Sequence, residues 1–342
     1  MPKTILVTGA TGYIAKHIVL QLLEAGYHVR GSVRSPARGD EVTAAVTPLL
    51  THPQDLEQRL QFVPLDLTQD EGWDAAMDGV DVLMHTASPF PLNQPDDPDA
   101  LIRPAVDGTL RALRAAQRAG VTRVILTSST AAIMGSDLPA GETHYDETNW
   151  TDPDDADITA YTKSKTLAER AAWDFVTNDA SEMQLTTVNP GFVLGAPLDE
   201  HYGTSVGVIA RLLRGKDPML PNIGFVTVDV RDVAEMHVTA IENADTFGRR
   251  IMTVDKFLTF AEMAKAVKAA HPDRRVPTRT APDFLIRLMA RFDPAIKSIL
   301  PGLGRVDRVD NSRARAVLGR GMRQAHKAAA QTADYLVEKR LV

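Results

Sequence analysis

Short apolar runs alternate with amphipathic stretches along the first half of the chain. The apolar runs cover residues 4–8, 27–33, 61–67, 80–86, 121–128 and 185–190. Helical patterns fill most of the gaps, and Gly26 is positioned to end the first helix. Continuous apolar strands separated by helices are typical of a parallel sheet covered on both faces. The pattern predicts a doubly wound α/β fold that binds its ligands at the carboxyl ends of the strands.

The regular alternation weakens after the sixth apolar run. Gly and Pro are frequent over residues 191–225, a strand and the start of a helix return within about 226–256, and residues 257–325 are mainly helical with breaks at prolines. We expect a nucleotide-binding domain over residues 1–190 that includes the returning segment. The two other segments are expected to form a smaller, interwoven substrate lobe, and residues 326–342 a C-terminal helix.

Composition narrows the possible functions. The 342 residues carry a net charge of −6, which gives no broad basic surface for nucleic acid. The chain has no cysteine, so disulfides, thiolate catalysis and cysteine zinc sites are excluded. No apolar run approaches the length of a membrane span. The nine histidines show no tight cluster. We expect a cytoplasmic protein with no metal, no nucleic-acid partner and no membrane partner.

A glycine-rich turn follows the first apolar run. Thr8, Gly9, Gly12 and Ala15 form the pattern T-G-x-x-G-x-x-A between a predicted strand and a predicted helix. Such a turn lets backbone amides approach a phosphate at the positive end of the helix. The alternative is a plain turn followed by small packing residues.

The second strand is followed by basic residues. Arg34 and Arg38 come before the first acid, Asp40. A carboxylate at this place would bind the ribose hydroxyl of NAD, whereas guanidinium groups suit a 2′-phosphate. The sequence therefore favours NADP, unless both arginines only decorate a surface loop.

A tyrosine and a lysine stand four residues apart in "YTKSK". This spacing places Tyr161 and Lys165 on one helix face, where the ammonium is expected to lower the pKa of the phenol and make it a usable acid or base. Tyr335 and Lys339 have the same spacing but no companion motif. Near Tyr161 there is one, because Ser129 and its neighbour Ser128 end the fifth strand, where the ligand cleft should open.

Several segments resemble the extended short-chain dehydrogenase/reductase family, in particular its branch of dihydroflavonol, cinnamoyl-CoA and aldehyde reductases. They are "VTGATGYIAKHIVLQLLEAGY", "HTASPF", "VILTSSTAA", "YTKSKTLAERAAW", "VNPGFVLG", "VDVRDVA" and "VDNSRARAVLG". The resemblance implies a Rossmann-type domain in which Tyr161 donates a proton to the substrate carbonyl. Ser129 would hold the carbonyl oxygen, and Lys165 would bind the nicotinamide ribose and tune the tyrosine.

The resemblance also implies the cofactor site. Asp66 and Leu67 would flank the adenine, and Asn189 to Phe192 would cover the nicotinamide. The full set expected to bind NADP(H) is Thr8, Gly9, Thr11, Gly12, Tyr13, Ile14, Arg34, Arg38, Asp66, Leu67, His85, Thr86, Ala87, Ser128, Tyr161, Lys165, Asn189, Pro190, Gly191 and Phe192.

The expected substrate pocket is mostly apolar, which fits a hydrophobic aldehyde or ketone. Its candidates are Ser88, Phe90, Ile133, Met134, Phe192 and Leu194. Core packing is the alternative for Ile133 and Leu194. Two departures limit the resemblance. Ala105 replaces an asparagine that many extended members have, and residues 130–135 lack the asparagine with which plant dihydroflavonol reductases bind flavonoid rings.

Three functions stay open on the sequence. The first is an NADPH-dependent reductase of a small-molecule carbonyl, reversible as an alcohol dehydrogenase. The second is a nucleotide-sugar epimerase or dehydratase of the same fold. The third is a non-enzymatic NADP-sensing regulator, against which the intact Ser129, Tyr161 and Lys165 set argues. The chain is expected to be a monomer or a homodimer.

Overall fold

A seven-stranded parallel sheet organises the molecule. The structure, a computed structural model, describes residues 2–88, 97–297 and 299–342. The strands of this sheet lie in the order β3-β2-β1-β4-β5-β6-β9. They are β1 (Thr4–Thr8), β2 (His28–Val33), β3 (Leu60–Pro64), β4 (Val82–His85), β5 (Arg123–Thr127), β6 (Gln184–Pro190) and β9 (Arg249–Thr253). The doubly wound α/β prediction is confirmed.

A second sheet of three strands lies beyond the carboxyl edge of the first. It consists of β7 (Phe192–Leu194), β8 (Gly224–Asp229) and β10 (Lys256–Thr259). The sequence analysis placed the returning strand with the main domain, but β8 pairs with β7 and β10 instead. The strand that returns to the large sheet is β9, which pairs with β6. The proposed domain boundaries otherwise stay a prediction.

Helices cover both faces of the large sheet and build the smaller lobe. In chain order they are α1 (Tyr13–Glu24), α2 (Ala37–Val46), α3 (Leu56–Arg59), α4 (Trp73–Met77), α5 (Asp99–Arg118), α6 (Ala131–Met134), α7 (Ala160–Asn178), α8 (Thr204–Arg214), α9 (Val230–Ala240), α10 (Phe260–Ala270), α11 (Asp283–Met289), α12 (Pro294–Lys297), α13 (Ser312–Leu318) and α14 (Ala325–Glu338).

Alternating residues of the central strands fill two separate cores. In β1, Ile5 and Val7 pack under α1, α2 and α9, whereas Leu6 packs under α4, α5 and α7 on the opposite face. This follows from the two-residue period of a strand, and it explains why a strand buried on both faces is apolar throughout. A third core joins α8, α10 and α14.

The first helix ends where the sequence predicts. Gly26 has φ +86°, a left-handed conformation that favours glycine. Its amide donates to the Leu23 carbonyl, and the Tyr27 amide donates to the Leu22 carbonyl, which is the hydrogen-bond pattern of a Schellman motif. The chain therefore turns sharply from α1 into β2.

Across residues 2–88, 97–297 and 299–342, no helix is both long and apolar enough to cross a membrane. In the same part of the chain, no three His, Asp or Glu side chains converge as a metal site would require.

A buried carboxylate ties the last quarter of the chain to the main domain. Asp232 on α9 is 0% exposed. It accepts hydrogen bonds from Arg320 Nη2 at 2.7 Å and from the Arg323 backbone amide at 2.6 Å, and it also contacts the Arg323 guanidinium. Both arginines lie between α13 and α14. Asp232 therefore fixes the approach of the C-terminal helix.

We expect Asp232→Asn to lower the free energy of unfolding by about 1.5–3 kcal/mol, because it removes charge-assisted hydrogen bonds from a buried acceptor. Asp74→Asn is the control, since the Asp74 side chain is 77% exposed in its ion pair with Arg118. Its loss should stay below about 1 kcal/mol. Urea unfolding of both variants at neutral pH measures the difference. Equal losses would contradict the anchoring role of Asp232.

Candidate active site

The carboxyl ends of β1, β4, β5 and β6 meet at one edge of the large sheet. The predicted site residues follow these ends: the glycine turn follows β1, residues 86–88 follow β4, the serine pair follows β5, and Gly191 follows β6. The topology therefore brings together segments that lie far apart in the sequence.

The glycine turn has the form expected of a phosphate cradle. Gly9 has φ +64°, and a Cβ there would lie 3.0 Å from the Ala87 Cβ. The Gly12 amide donates to the Gly9 carbonyl at 2.9 Å, which closes the turn. Within α1, all of which is described, no side chain caps the first turn and no acidic residue lies in it. The first amides of the helix can therefore receive an anion.

Thr8 holds the end of β4 against this turn. Its hydroxyl oxygen accepts hydrogen bonds from the backbone amides of Thr86 and Ala87, both at 3.1 Å. The hydroxyl proton therefore points to His85 Nδ1, 2.9 Å away. Burial lowers the pKa of His85 to about 3, so its ring is neutral at physiological pH. Thr8 and His85, predicted cofactor ligands, use these groups to shape the turn.

The first turns of α1 hold a loop of the smaller lobe. The Tyr13 hydroxyl donates to the Gly195 carbonyl at 2.9 Å, and the His17 ring lies 3.1 Å from the Ala196 carbonyl. Between them, the buried Lys16 forms an ion pair with Asp199. Tyr13 was predicted to bind cofactor, but its hydroxyl is used in this tie. Thr11 and Ile14 beside it are half-buried.

The two arginines after β2 differ in their partners. Arg38 forms an ion pair with Glu41 on α2, with Nη2 3.0 Å from Oε2. Arg34 is exposed, and its charge helps to lower the pKa of Asp66 after the larger effect of hydrogen bonds from Thr68. Of the two, Arg34 is the one whose guanidinium can turn to a phosphate without leaving a carboxylate.

Asp66 and Leu67, the residues expected at the adenine, also contact other residues of the protein. Asp66 Oδ1 accepts from the Thr68 backbone amide at 2.8 Å and from its hydroxyl at 2.7 Å. Leu67 packs close to Gly108 on α5, where a Cβ would lie 3.3 Å from Leu67 Cδ2. Asp66 therefore caps its own loop, and Leu67 supplies the apolar surface there.

Tyr161, Lys165 and Ser129 come together as the sequence predicts. Tyr161 and Lys165 lie in the first two turns of α7, and Lys165 Nζ is 5.9 Å from the centre of the Tyr161 ring. The Ser129 hydroxyl accepts from the Ala131 amide at 3.1 Å, which leaves its proton for the hydrogen bond to the phenol. A phenol hydroxyl and a serine hydroxyl therefore lie within hydrogen-bond reach of each other.

The pKa of Tyr161 is not lowered in the protein alone, and the expected effect of Lys165 stays a prediction. Burial raises the pKa of Tyr161 above its usual 10, and the hydrogen bond from Ser129 opposes this rise. Burial also lowers the pKa of Lys165 to about 8, against the charge of Glu169, which raises it. Desolvation is therefore the largest effect on both groups, and the phenol stays protonated at neutral pH.

A buried carboxylate that the sequence analysis missed lies one turn beyond Lys165. Glu169 is fully buried, and it forms an ion pair with Arg250 of β9. Its donors are Arg250 Nε (2.7 Å), Asn189 Nδ2 (2.6 Å), the Thr187 hydroxyl (3.0 Å), Trp173 Nε1 (3.3 Å) and the Ser128 hydroxyl. The available signal was its position, two turns from Tyr161 on the same helix face.

Asn189 and Pro190 position the serine segment. Asn189 Nδ2 also donates to the Ser129 carbonyl at 3.2 Å, and the Thr130 amide donates to the Pro190 carbonyl at 3.0 Å. Asn189 is completely buried, so its side chain fixes the strand ends. Gly191, which follows, leaves room for the Val226 carbonyl of β8.

The pocket candidates divide into core and surface residues. Ile133 is 1% exposed in a cluster with Val226, and Leu194 is buried against α8 and α14, so both belong to the core. Ser88, Met134 and Phe192 are half-buried. Phe90 lies outside the described residues.

Phe192 has an aromatic partner that the sequence did not reveal. Its ring stacks on Phe225 of β8, with centroids 4.8 Å apart and planes within 10°. Phe225 is 40% exposed. Because Phe192 directly follows Gly191, this apolar surface starts beside the segment that holds Ser129.

The second tyrosine with the same lysine spacing lies elsewhere. Tyr335 is on α14, and burial together with the charges of Asp199 and Glu200 raises its pKa to about 12. It lies on the last helix of the chain, far in sequence from the serine pair.

Known proteins match this chain over most of its length. The model of the NAD dependent epimerase/dehydratase family matches residues 5–254. A cinnamoyl-CoA reductase of Medicago truncatula, CAD2, is 36% identical over 288 residues, covering 82% of this chain and 85% of that protein. A putative NADPH-dependent methylglyoxal reductase of Candida albicans, GRP2, is 32% identical over 293 residues, covering 80% and 85%.

Solved structures agree with these sequence relatives. The crystal structure of Gre2 from Candida albicans in complex with NADPH is 29% identical and has a TM-score of 0.80, covering 98% of this chain and 99% of that one. The family match, the relatives and the shared fold have one consequence: the chain belongs to the NAD dependent epimerase/dehydratase family, within the extended short-chain dehydrogenases/reductases.

Proposed function

We propose that this protein is an NADP-dependent oxidoreductase that reduces an apolar aldehyde or ketone to the alcohol. The observation that carries the proposal is the hydrogen bond between the Ser129 hydroxyl and the Tyr161 phenol, beside Lys165 at the carboxyl edge of the sheet. Support comes from the relatives, among which are reductases described as NADPH-dependent or solved with NADPH.

The described residues fit a nicotinamide dinucleotide. The glycine turn and the uncapped start of α1 suit its diphosphate, and Arg34 suits a 2′-phosphate. Lys165 would bind the nicotinamide ribose. When bound, the reduced cofactor supplies a hydride to the carbonyl carbon of the substrate.

The protein's own residues handle the proton. Ser129 would donate a hydrogen bond to the carbonyl oxygen, and the Tyr161 hydroxyl would deliver its proton to that oxygen as the carbon is reduced. The raised pKa of Tyr161 keeps the phenol protonated at neutral pH, as a proton donor requires. The positive charge of Lys165 then stabilises the phenolate that remains.

The surface beside Ser129 supports an apolar substrate. Phe192 follows the segment that bonds to Thr130, and its ring stacks on Phe225. Met134, which is half-buried, follows Ser129 in the same short segment. Aromatic and thioether side chains suit aryl or alkyl groups better than sugars or diphosphates. A nucleotide-sugar reaction is the competing function on this fold.

A substrate panel tests the proposal directly. NADPH oxidation is followed with aromatic and aliphatic aldehydes, ketones, a CoA thioester and nucleotide sugars. Turnover of simple carbonyl compounds is the expected result. Turnover restricted to nucleotide sugars would overturn the proposal in favour of the epimerase or dehydratase alternative, and binding of NADPH without turnover would favour a regulator.

We expect Tyr161→Phe to lower kcat by about 10²–10⁴-fold, because it removes the proton donor but keeps the ring. The affinity for NADPH, measured by its fluorescence, should stay close to that of the unsubstituted protein. Tyr335→Phe is the matched control and should keep full activity. Equal losses in the two variants, or an active Tyr161→Phe protein, would refute the assigned proton donor.

The pKa of Lys165, about 8, predicts how NADPH binding depends on pH. The ammonium is present below this pKa and is lost as the pH rises through it. We expect the Kd for NADPH to increase about tenfold or more between pH 7 and pH 9.5, as a charge-assisted hydrogen bond is lost. Lys165→Met should bind weakly without this dependence.

Lys163→Met is the control for that experiment, since Lys163 lies on the outer side of the same helix, 3.6 Å from Asp154. It should keep the pH dependence of the unsubstituted protein. If Lys165→Met kept it as well, another group would be responsible for the effect.

Arg34 is expected to set the preference for NADPH over NADH. Arg34→Ala should raise KM for NADPH by about ten- to a hundredfold and leave KM for NADH nearly unchanged. Arg38→Ala should have a smaller effect because Glu41 already holds that guanidinium. Equal weakening of both cofactors would assign Arg34 to the fold, and an unsubstituted protein that prefers NADH would contradict the cofactor assignment.

A further inference from the structure

The carboxylate of Glu169 is fully buried beside the proposed site, yet no step of the proposed reaction uses it. Its donors come from the residue that follows β5, from β6, from β9 and from α7 itself. A buried ion pair such as Glu169 with Arg250 gives little net stability compared with apolar packing of the same volume. The contribution of Glu169 is therefore to hold its hydrogen-bond donors in place rather than to add stability.

We propose that Glu169 is a positioning residue of the site: it fastens the segments that carry Ser129 to the helix that carries Tyr161, and its carboxylate stands one turn from the Lys165 ammonium on that helix. The inference rests on the proposed reductase function. It adds a residue that acts through the three catalytic side chains and does not touch the substrate.

The first half of the inference follows from shared hydrogen bonds. Glu169 Oε2 accepts from the Ser128 hydroxyl, the residue before Ser129. Oε2 also accepts from Asn189 Nδ2, and the same Nδ2 donates to the Ser129 carbonyl. The backbone of Ser129 is thus held on both sides by groups that end at one carboxylate of α7. This fixes the Ser129 hydroxyl relative to Tyr161, two turns earlier on that helix.

The second half follows from the charges around Lys165. Glu169 is four residues after Lys165, a spacing that places side chains on the same face about 5–6 Å apart at Cβ. The other titratable groups near Lys165 are Tyr161 on α7 and His85 at the end of β4, and both are neutral at pH 7. Arg250 approaches Glu169 from β9. Among these groups, Glu169 alone carries negative charge.

The test measures the titration of Lys165 directly in the protein without cofactor. Competitive labelling with acetic anhydride, read by mass spectrometry across pH 6–10, gives the midpoint at which the Lys165 amine becomes reactive. We expect Glu169→Gln to lower this midpoint by about one pH unit, because a neighbouring opposite charge is lost. The kcat for a carbonyl substrate should fall about tenfold or more, with its pH profile shifted in the same direction.

Glu147→Gln is the matched control. Glu147 is also a buried carboxylate near Arg250, whose Nη1 donates to the Glu147 carbonyl, but its own carboxylate accepts from the Met252 amide and reaches neither serine. The substitution makes the same chemical change. It should leave the Lys165 midpoint and the pH profile of kcat unchanged.

Arg250→Met separates charge from packing. It removes the guanidinium that is paired with Glu169 and leaves the carboxylate charged. The pH midpoint of Lys165 labelling should therefore stay the same or rise. Loosened packing would instead shift the midpoint in the same direction in Glu169→Gln and Arg250→Met. That result, or an unchanged midpoint in Glu169→Gln, would overturn the inference.

The labelling experiment does not depend on whether the protein catalyses the proposed reaction. If the unsubstituted protein reduced none of the carbonyl compounds, the reductase proposal would fail while the Lys165 midpoints still tested the link to Glu169. If it reduced them and Glu169→Gln behaved like Glu147→Gln, only the positioning role would fail.

Discussion

A carboxylate removed from water and held by five donors is the constraint on which the site depends. An isolated buried charge would cost several kcal/mol, and Glu169 avoids this because guanidinium, amide, indole and hydroxyl groups surround it. Most of those donors come from strands, or from the residue that follows a strand, and the parallel α/β fold sets the order of these strands in the sheet. Satisfying Glu169 therefore requires β6, β9 and the segment after β5 to pack together against α7, and that segment also carries the Ser129 hydroxyl that bonds to Tyr161.

The glycine turn and the smaller lobe are joined by a comparable set of bonds. Tyr13, Lys16 and His17 lie on one face of α1 and hold the loop that follows β7 through Gly195, Ala196 and Asp199. Burial lowers the pKa of His17 to about 4, so its ring acts here as a neutral donor to a carbonyl. The loop that leads into the smaller lobe is thus held by the helix whose first amides suit a diphosphate. The glycine turn and the smaller lobe therefore share one support.

Much of this arrangement could be predicted from the sequence, and the failures have physical reasons. The pattern and the length of the apolar runs predicted where the strands lie, because buried parallel strands must be apolar on both faces. The direction of a side chain could not be read in this way. Ile133 and Leu194, which were candidates for the pocket, therefore proved to lie in the core. Glu169 was missed because a charged residue in an amphipathic helix usually faces water, and only tertiary contacts supply its donors.

The electrostatics of the site favour one direction of the proposed reaction near neutral pH. With its pKa raised by burial, Tyr161 holds its proton, and the neutral His85 adds no charge near Lys165. Reduction of a carbonyl consumes that proton, whereas oxidation of an alcohol needs the phenolate as base. Lys165 is still charged below about pH 8, so it can stabilise the phenolate once the proton has left. At neutral pH the protein therefore already has the protonated phenol and the charged lysine that the proposed reduction requires. The reverse reaction becomes easier only as rising pH removes the phenolic proton.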